Sequence, residues 1–401
     1  MRTLVTYVIA AAACAVTCGA QGDARAEPIY HYVSLDAALP VGFAFFDPVA
    51  VIDNGNVYGN VYRCRPGGCL SSVAVRRAGA RAVSALRQGF ASDANNKGVI
   101  AGSVLTNTSS RAVVTQAALF QGRQVQPIAR RPGEVSSNAL TLTDTGIALV
   151  ESSSATDTSR YLLRRDGSVA PIDLGPDAGF SFAFDVNDRG VVSATTFSIP
   201  EGAFRGVRLR PPGAPTLLEP LATEPQAWGL GINSKGDVLG YSFVFGAIER
   251  IGFWRGTTFH TRFVEGTPEF PTVSNALRWN DRGLIVATAT SDSNSYLIPR
   301  AGVRLNLADL ADRLPPWTNI IDVNNGGDLV GVGGSAPGVI EEAFLLKRLP
   351  APAATTEAQR VVWHAAEAPA RAARLAAVAN GLLPEPARAL YRAPLRKDHR
   401  G

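Results

Sequence analysis

The stretch that decides the fold is Gly231-Ile232-Asn233-Ser234-Lys235-Gly236-Asp237-Val238-Leu239-Gly240. Asn233 and Gly236 stand three positions apart, and apolar residues and a second glycine follow them. At the first position of a type I turn, Asn accepts hydrogen bonds from the backbone amides that follow, and Gly at the fourth position takes the left-handed conformation of a G1 bulge. The stretch therefore predicts a tight turn between two antiparallel strands.

The same pattern recurs seven times along the chain. Successive turn glycines are 43, 48, 44, 46, 47 and 44 residues apart, at Gly55, Gly98, Gly146, Gly190, Gly236, Gly283 and Gly327. Six of the seven residues four positions after these glycines are small, which suits a close approach of neighbouring backbones. Strand-like segments complete each repeat, for example 160–164 with 170–174. Four strands in each repeat of about 45 residues predict an all-β, seven-bladed β-propeller, with a sandwich or a β-helix as the alternative.

The two ends of the repeat region predict that the ring closes. The last repeat stops after its third strand, at residues 342–346, and residues 29–33 near the N-terminus form a further strand-like segment. Pairing the two segments in one blade would remove the open edges of the sheet. We therefore expect residues 27–354 to form the propeller.

Residues 1–26 have the features of a signal peptide. Met1-Arg2 gives a positive start, the apolar run from Leu4 to Ala15 is too short to span a bilayer, and Ala24-Arg25-Ala26 offers a cleavage site. The alternative is a buried N-terminal strand, and lipidation of Cys18 stays open. No later stretch approaches 18 apolar residues, so we predict a periplasmic or secreted protein with no transmembrane segment in the mature chain.

Cleavage would leave two of the four cysteines, Cys64 and Cys69. The residues Pro66-Gly67-Gly68 between them are typical of a turn, which would bring the two thiols within reach of each other. An oxidising compartment favours a disulfide, with free thiols as the alternative. A zinc site needs four ligands, and no paired Cys or His lies nearby in the sequence.

Positive charge is concentrated at the C-terminus. Residues 355–401 contain eight basic and four acidic residues, whereas residues 27–354 contain 29 of each. A neutral body gives no support for nucleic-acid binding. The apolar spacing of 355–380 predicts a helix interrupted at Pro369, with an extended or disordered basic end beyond it. This tail is either solvated or a docking segment for an anionic surface or a partner.

Two of the repeats resemble the bacterial extracellular HAF-type repeats. Residues 231–242 with 252–256, and residues 322–331 with 343–346, carry the resemblance, which covers residues 40–348. No His precedes Ala343-Phe344, where the family has a His-Ala-Phe triplet. The resemblance implies export and a binding or scaffold role, and it supplies no catalytic residues.

Motifs that would indicate catalysis are absent from the sequence. The four histidines lack metal-ligand spacing, and no nucleophile elbow, Walker loop or dinucleotide fingerprint occurs. Asp185-x-Asn187-x-x-Gly190 begins like a calcium loop, but Arg189 and Thr196 stand where acidic ligands are needed. We therefore predict no catalytic residue, no metal and no cofactor.

Candidate ligand-binding residues lie on the predicted inner strands, five or eight positions before the turn glycines. They are Asp93, Asp185, Arg278, Asp322, Phe182 and Trp228. These side chains would line one end of the axial channel, and packing between blades is the alternative. The sequence thus favours a non-enzymatic propeller that recognises a protein or cell-envelope component. A lyase or hydrolase acting on a glycan or lactone is the alternative, and three aspartates with raised pKa in one pocket would favour it.

Overall fold

A computed structural model of the chain contains seven four-stranded antiparallel sheets, each of which is one blade of a β-propeller. It describes residues 29–65, 68–107, 114–175, 178–198, 200–244, 248–265, 273–289, 294–336 and 340–349. The predicted seven-bladed fold is confirmed. The predicted signal peptide and C-terminal tail lie outside the described residues.

The strands are numbered in chain order, and each blade runs from its innermost to its outermost strand. Blade 1 contains β2 (Phe46–Val51), β3 (Val57–Arg65), β4 (Gly68–Arg76) and β5 (Val83–Gln88). Blade 2 contains β6 (Phe90–Ala94), β7 (Val99–Asn107), β8 (Val114–Gln121) and β9 (Gln124–Pro127). Blade 3 contains β10 (Ser136–Leu142), β11 (Ala148–Ser153), β12 (Thr158–Leu163) and β13 (Val169–Pro171).

The remaining blades follow the same order. Blade 4 contains β14 (Ala178–Val186), β15 (Val192–Ser198), β16 (Ala203–Leu209) and β17 (Thr216–Leu217). Blade 5 contains β18 (Gln226–Ile232), β19 (Val238–Val244), β20 (Ile248–Arg255) and β21 (Thr258–Glu265). Blade 6 contains β22 (Val273–Trp279), β23 (Ile285–Ala289), β24 (Ser295–Arg300) and β25 (Val303–Asn306). Blade 7 contains β26 (Trp317–Val323), β27 (Leu329–Gly334), β28 (Glu342–Arg348) and β1 (Tyr30–Ser34). Two single-turn 3-10 helices, Asp36–Ala38 and Leu307–Asp309, lie in the connections to blades 1 and 7.

The N-terminal strand closes the ring, as predicted. β1 pairs with β28 from Tyr30↔Arg348 to Ser34↔Phe344. Asp36 strengthens this junction because its carboxylate accepts hydrogen bonds from the backbone of Phe46, at 2.8 Å, and of Ala343, at 2.7 Å. One side chain thus joins the N-terminal segment to both the first and the last blade.

The seven turns between the first and second strands have the predicted geometry. All seven turn glycines have φ between 71° and 89°. The N–H of Gly236 donates to the carbonyl of Asn233 at 2.9 Å, and the Asn233 side chain accepts from the N–H of Lys235 and of Asp237. A left-handed residue at this position favours glycine, which explains its recurrence.

The small residues after the turns pair with the inner strands. A Cβ atom on Gly102 would lie 1.8 Å from the carbonyl oxygen of Phe90, and one on Gly240 would lie 1.8 Å from that of Trp228. Six inner strands carry a register shift at this level, between the residues seven and five positions before the turn glycine. Such a β-bulge pushes the inner backbone toward the second strand, so the second strand needs a small residue there.

The hydrophobic core lies between neighbouring blades. One cluster packs Tyr58 and Val73 of blade 1 against Ile100 and Phe120 of blade 2. Another packs Tyr30 of β1 and its blade 7 neighbours against blade 6. Because each blade buries both of its surfaces against neighbours, the ring is stabilised as a whole rather than blade by blade.

The propeller has two unlike faces. The face that carries the seven turns after the inner strands is called the turn face. The opposite face carries the longer connections that enter the blades, including residues 35–45, 128–135, 218–225 and 307–316, and is called the loop face. In the part of the chain that the structure describes, no helix is long and apolar enough to cross a membrane.

Candidate functional site

An axial channel runs between the inner strands and contains two chambers. The narrow chamber, about 260 Å³, lies at the turn face, and the wide chamber, about 550 Å³, lies toward the loop face. Asp93, Asp185, Asp322 and Trp279 line both chambers. These four residues therefore form a girdle where the two chambers meet.

The narrow chamber is held by hydrogen bonds that cross every blade interface. Six of the seven interfaces share one contact, in which an Asp or Asn side chain of one turn accepts a backbone N–H from the preceding blade. The donor and acceptor pairs are Asp53 to Asn96, Asn96 to Asp144, Thr145 to Asp188, Ser234 to Asp281, Asp281 to Asn325, and Asn325 to Asp53. Between blades 4 and 5, the Arg189 side chain donates to the Ser234 carbonyl at 2.7 Å. The polar groups of these turns thus form the hydrogen bonds that hold neighbouring blades together.

The three girdle aspartates also connect blades. Asp93 accepts hydrogen bonds from its neighbour Ala94 N–H at 2.7 Å and from Leu142 N–H of the next blade at 2.8 Å. Asp185 makes the same two contacts, and Asp322 accepts from Val51 N–H at 2.8 Å. The sequence suggested ligand contact or packing for these residues, and each of them serves as an interblade link.

Burial in the channel changes the protonation of these carboxylates. Desolvation is the largest cause and raises the pKa of Asp93 to about 8; the bond from Leu142 N–H lowers this pKa, and the charges of Asp322 and Asp185 raise it. Desolvation likewise raises the pKa of Asp185 to about 6, although the bonds from Ile232 and Val186 oppose the shift. It also raises the pKa of Asp322. Ionising all three together would place like charges in one confined space.

Arg278 provides positive charge in the wide chamber. Its Nε donates to the carbonyl of Ile321 at 2.5 Å, and its Nη1 donates to that of Leu277 at 2.9 Å. Its charge lowers the pKa of Asp185 and of Asp322, whereas Asp93 feels chiefly the other two carboxylates. Arg278 therefore offsets the negative charge of Asp93 less than that of Asp185 or Asp322.

Apolar and aromatic side chains form the wall of the wide chamber. They are Val49, Leu140, Phe184, Trp228, Leu230, Leu239, Leu277, Trp279 and Ile321. Trp279 extends over Gly231, where a Cβ atom would lie 3.1 Å from its Nε1. The buried Thr141 Oγ1 and Trp228 Nε1 have no hydrogen-bonding partner within the described residues. The chamber thus combines an apolar wall with a polar floor, as ligand pockets do.

Five of the six predicted ligand-binding residues line the wide chamber. They are Asp93, Asp185, Trp228, Arg278 and Asp322. Phe182 is not among the lining residues; its ring stacks on Phe184 and lies under the guanidinium of Arg160. The β-bulge explains the difference, because it turns two consecutive residues, such as Phe184 and Asp185, toward the axis.

Sequence reasoning missed Phe184, Thr141 and Trp279. Trp279 had a usable signal, because it is the single aromatic residue among those four positions before the turn glycines. Thr141 had one too, because it stands five positions before Gly146, where Asp93, Asp185 and Asp322 stand in their repeats. Phe184 had no such signal, since its placement depends on the bulge. Among the described residues, no group of three or more His, Cys, Asp or Glu side chains has the geometry to hold a metal ion.

A second feature lies on the loop face, where blade 1 carries exposed apolar side chains. Val41 is 100% exposed, Leu70 50% and Phe45 40%. The ring of Phe45 stacks on that of Tyr62 with centroids 4.4 Å apart. Leu70 pairs with Arg63 and lies on the other side of the hairpin from Tyr62. We call the exposed apolar groups on the two sides of this hairpin end, Val41, Phe45, Tyr62 and Leu70, the hairpin patch. It adjoins the predicted disulfide between Cys64 and Cys69, which is confirmed and joins paired residues of β3 and β4.

Neither a protein-family model nor a curated protein matches this chain. Among solved structures, the β-propeller domain of the trilobed protease from Pyrococcus furiosus is similar, with a TM-score of 0.55 and 11% identity, over 76% of this chain and 93% of that one. That domain is described as having an open velcro topology, whereas β1 pairs with β28 here. The acylaminoacyl peptidase of Pyrococcus horikoshii has a TM-score of 0.53 and 10% identity, over 76% of this chain and 51% of that one. This chain therefore spans about half the length of the peptidase, and identities this low show the fold alone.

Proposed function

We propose that the protein is an exported, non-enzymatic β-propeller that binds a protein or cell-envelope component through its loop face. The observation that carries this proposal is the distribution of exposed apolar side chains. Of the eight large hydrophobic residues that are exposed in the described chain, five belong to the loop face: Val41, Phe45, Leu70, Val135 and Ile340. Exposed apolar groups that cluster on one surface of a folded protein are typical of interaction sites.

The hairpin patch has the composition of a protein-binding surface. Aromatic residues and Arg are enriched at such interfaces. Phe45 and Tyr62 stack on one side of the hairpin, and Arg63 lies beside Leu70 on the other, with its guanidinium 4.9 Å from the ring of Phe43. The disulfide beside it limits the motion of the hairpin. A preformed patch loses less conformational entropy when it binds.

Export is supported by the same disulfide. Disulfides persist in the periplasm and outside the cell and are rare in the reducing cytosol. Cys64 and Cys69 are both exposed, so a reducing compartment would have free access to their bond. The predicted signal peptide and the HAF-type resemblance agree with this placement.

A hydrolase or lyase is the second candidate, favoured by the raised pKa of Asp93 and Asp185 around one channel. Against it stands the geometry of the two carboxylates. Both oxygens of Asp93 and of Asp185 accept backbone N–H groups that belong to the frame. A carboxylate held in this way stabilises the blade interface, and moving its proton would disturb that interface.

Affinity capture from envelope extract tests the proposal. The baits are residues 27–401, the same chain ending at Ala354, and two variants of the full chain: Phe45→Ala/Leu70→Ala in the hairpin patch, and Val169→Ala. Val169 is a matched control because it is 43% exposed and follows an outer-strand connection on the turn face. We expect a partner that resists high salt to be retained by the truncated chain and by the control, and to be at least about tenfold depleted on the patch variant.

Two results would contradict this proposal. Retention of the partner by the patch variant would exclude the hairpin patch, and loss of the partner on truncation would assign recognition to residues 355–401. A catalytic role would instead appear as turnover of glycan or lactone substrates that Asp93→Asn abolishes.

A further inference from the structure

The wide chamber changes in chemistry along the channel axis. Its wall is apolar and partly aromatic, and its floor at the girdle holds Asp93, Asp185 and Asp322. We infer that this chamber binds a primary ammonium group carried on an unbranched apolar stem, as in a lysine side chain, with the ammonium beside Asp93 and the stem along the wall. This site goes beyond the proposed docking function, because it lies in the channel rather than on the hairpin patch.

The charges in the chamber call for a cationic ligand. Its lining contains three aspartates, and Arg278 is the single basic residue in the lining that the structure describes. Arg278 is held on the blade 6 and blade 7 side by the carbonyls of Leu277 and Ile321. Asp93 belongs to blade 2 and lies away from that guanidinium, and burial favours its protonated form. A cation bound beside Asp93 would favour the ionised carboxylate and supply the positive charge that this side of the channel lacks.

Hydrogen-bonding capacity favours ammonium over guanidinium. Each oxygen of Asp93 already accepts one backbone N–H and keeps one lone pair, so a bidentate guanidinium would need the remaining lone pair of both oxygens in one plane. An ammonium group is a compact donor of three hydrogen bonds, and it needs one spare lone pair on the carboxylate. Thr141 also lines the chamber and adjoins Leu142, whose N–H binds Asp93. Its Oγ1 is buried and has no partner among the described residues, so rotation of this side chain toward the chamber would offer a second acceptor.

The wall suits an apolar stem that ends in a cation. Leu140 and Leu230 provide aliphatic surface, and Phe184 and Trp228 provide aromatic surface. Aromatic faces attract cations, and each buried methylene group strengthens binding about fourfold. A volume of about 550 Å³ is within the range of small-molecule pockets. Affinity should therefore rise with stem length until the stem fills the chamber.

Calorimetric titration of residues 27–401 with small probes tests this inference. The probes are n-propylamine, n-pentylamine, 1-pentanol and pentanoate. We expect n-pentylamine to bind at least about tenfold more tightly than 1-pentanol, because the alcohol has the same stem without the charge. It should bind about tenfold more tightly than n-propylamine, and pentanoate should give no binding heat. Equal affinity for the amine and the alcohol, or no binding of n-pentylamine, would overturn the inference.

Two substitutions with opposite expected effects on the affinity for n-pentylamine distinguish direct binding at this site from an indirect structural effect. Asp93→Asn should weaken n-pentylamine binding about tenfold, and Arg278→Gln should strengthen it because a competing cation is removed. Asp309→Asn is the matched control, since it removes the same charge from an exposed position on the loop face and should change nothing. Shifts of Asp93→Asn and Arg278→Gln in the same direction would overturn the inference. Thr141→Val, which keeps the shape of the side chain, should weaken the amine and leave 1-pentanol unchanged even if Asp93→Asn is too unstable to titrate.

The source of the ammonium group is distinguished by one more probe. Nα-acetyl-lysine methylamide presents the same stem from a peptide backbone. Affinity at least equal to that of n-pentylamine would indicate a partner's lysine, and at least about tenfold weaker affinity would indicate a free amine. These titrations use no protein partner. Their failure would therefore not contradict partner binding at the hairpin patch, and failure of the capture experiment would not contradict ammonium binding in the wide chamber.

Discussion

The two faces of the propeller use the same seven repeats for different purposes. On the turn face, short turns of one geometry engage their polar groups across all seven blade interfaces. On the loop face, the connections differ in length from blade to blade, and most of the large exposed apolar side chains are found there. The turns that all repeats share therefore hold the ring together, and the connections that differ between repeats can bind a partner.

This difference has an energetic basis. A turn residue that caps its own turn and also bonds to the next blade stabilises two blades, so its substitution destabilises both. A side chain of the hairpin patch contacts solvent, and replacing it leaves the interblade clusters intact. We therefore expect turn-face substitutions to lower stability without changing recognition, and loop-face substitutions to do the reverse.

The largest expected effect concerns the girdle, which lies at the boundary between the two faces. A carboxyl group whose pKa is higher in the folded than in the unfolded chain contributes stability that is complete below its unfolded pKa and is lost as pH rises through its folded pKa. With folded values of about 8 for Asp93 and about 6 for Asp185, the free energy of unfolding should fall between pH 5 and pH 8.5. We expect a decrease on the order of a few kcal/mol, measured by urea denaturation across this range.

Asp93→Asn identifies the group responsible. The variant should lose about 1 kcal/mol at pH 5, because an amide cannot accept both backbone N–H groups, and its stability should fall less steeply above pH 6. Asp309→Asn should retain the wild-type slope. If the free energy of unfolding of Asp93→Asn falls with pH as steeply as that of the wild type, this carboxyl does not change protonation on folding. The girdle would then not be the boundary between the two faces.

Local turn chemistry and the repeat period were enough to predict the propeller, the ring closure and the disulfide. Asn233 illustrates why, since its cap and its glycine are encoded within four residues. The interblade bonds could not be predicted in this way. The amide of Asn187, for example, donates to the carbonyl of Asn233, 46 residues away, and no local signal specifies that contact.

The candidate site was predictable in part for the same reason. Counting back from the turn glycines located Asp93, Asp185 and Asp322 on the axis, because the repeat fixes their distance from the turn. The count failed at Phe182, where the bulge brings Phe184 to the chamber instead. A bulge reflects the packing of two strands rather than a residue preference, so the sequence alone does not reveal it.

A smaller effect tests the turn face itself. The Asn324 side chain is 4% exposed, accepts from Asp328 N–H at 2.8 Å, and donates to the Ile52 carbonyl of blade 1 at 3.0 Å. Asn324→Ala removes the cap and one of the hydrogen bonds that join the last blade to the first. We expect a loss of about 2 kcal/mol in the free energy of unfolding, measured in urea, with recognition by the folded protein unchanged.

Asn54→Ala is the comparison for this variant. Asn54 is also a turn residue, but it is exposed, and its side chain accepts from Asn56 N–H at 2.9 Å within the same turn. It should lose no more than about 0.5 kcal/mol. Equal losses in the two variants would mean that the interblade bond contributes nothing beyond the cap, and the turn face would then be seven independent turns rather than one ring.

The smallest expected effect on stability lies on the loop face. The backbone of Tyr62 bonds to Ala44 and Phe45, and that of Ser71 bonds to Gly89, so only the hairpin tip from residue 63 to residue 70, which holds the disulfide, extends beyond its neighbours as two strands. Two strands alone are marginally stable, so the tip can open without unfolding the blade. Cys64→Ser/Cys69→Ser should therefore cost less than about 1 kcal/mol of global stability, although a disulfide that closes a loop this short can contribute about 2 kcal/mol. Capture of the partner should nevertheless fall, because Leu70 lies on the opened tip. A variant that loses stability as Asn324→Ala does, but still captures the partner, would reverse the roles assigned to the two faces.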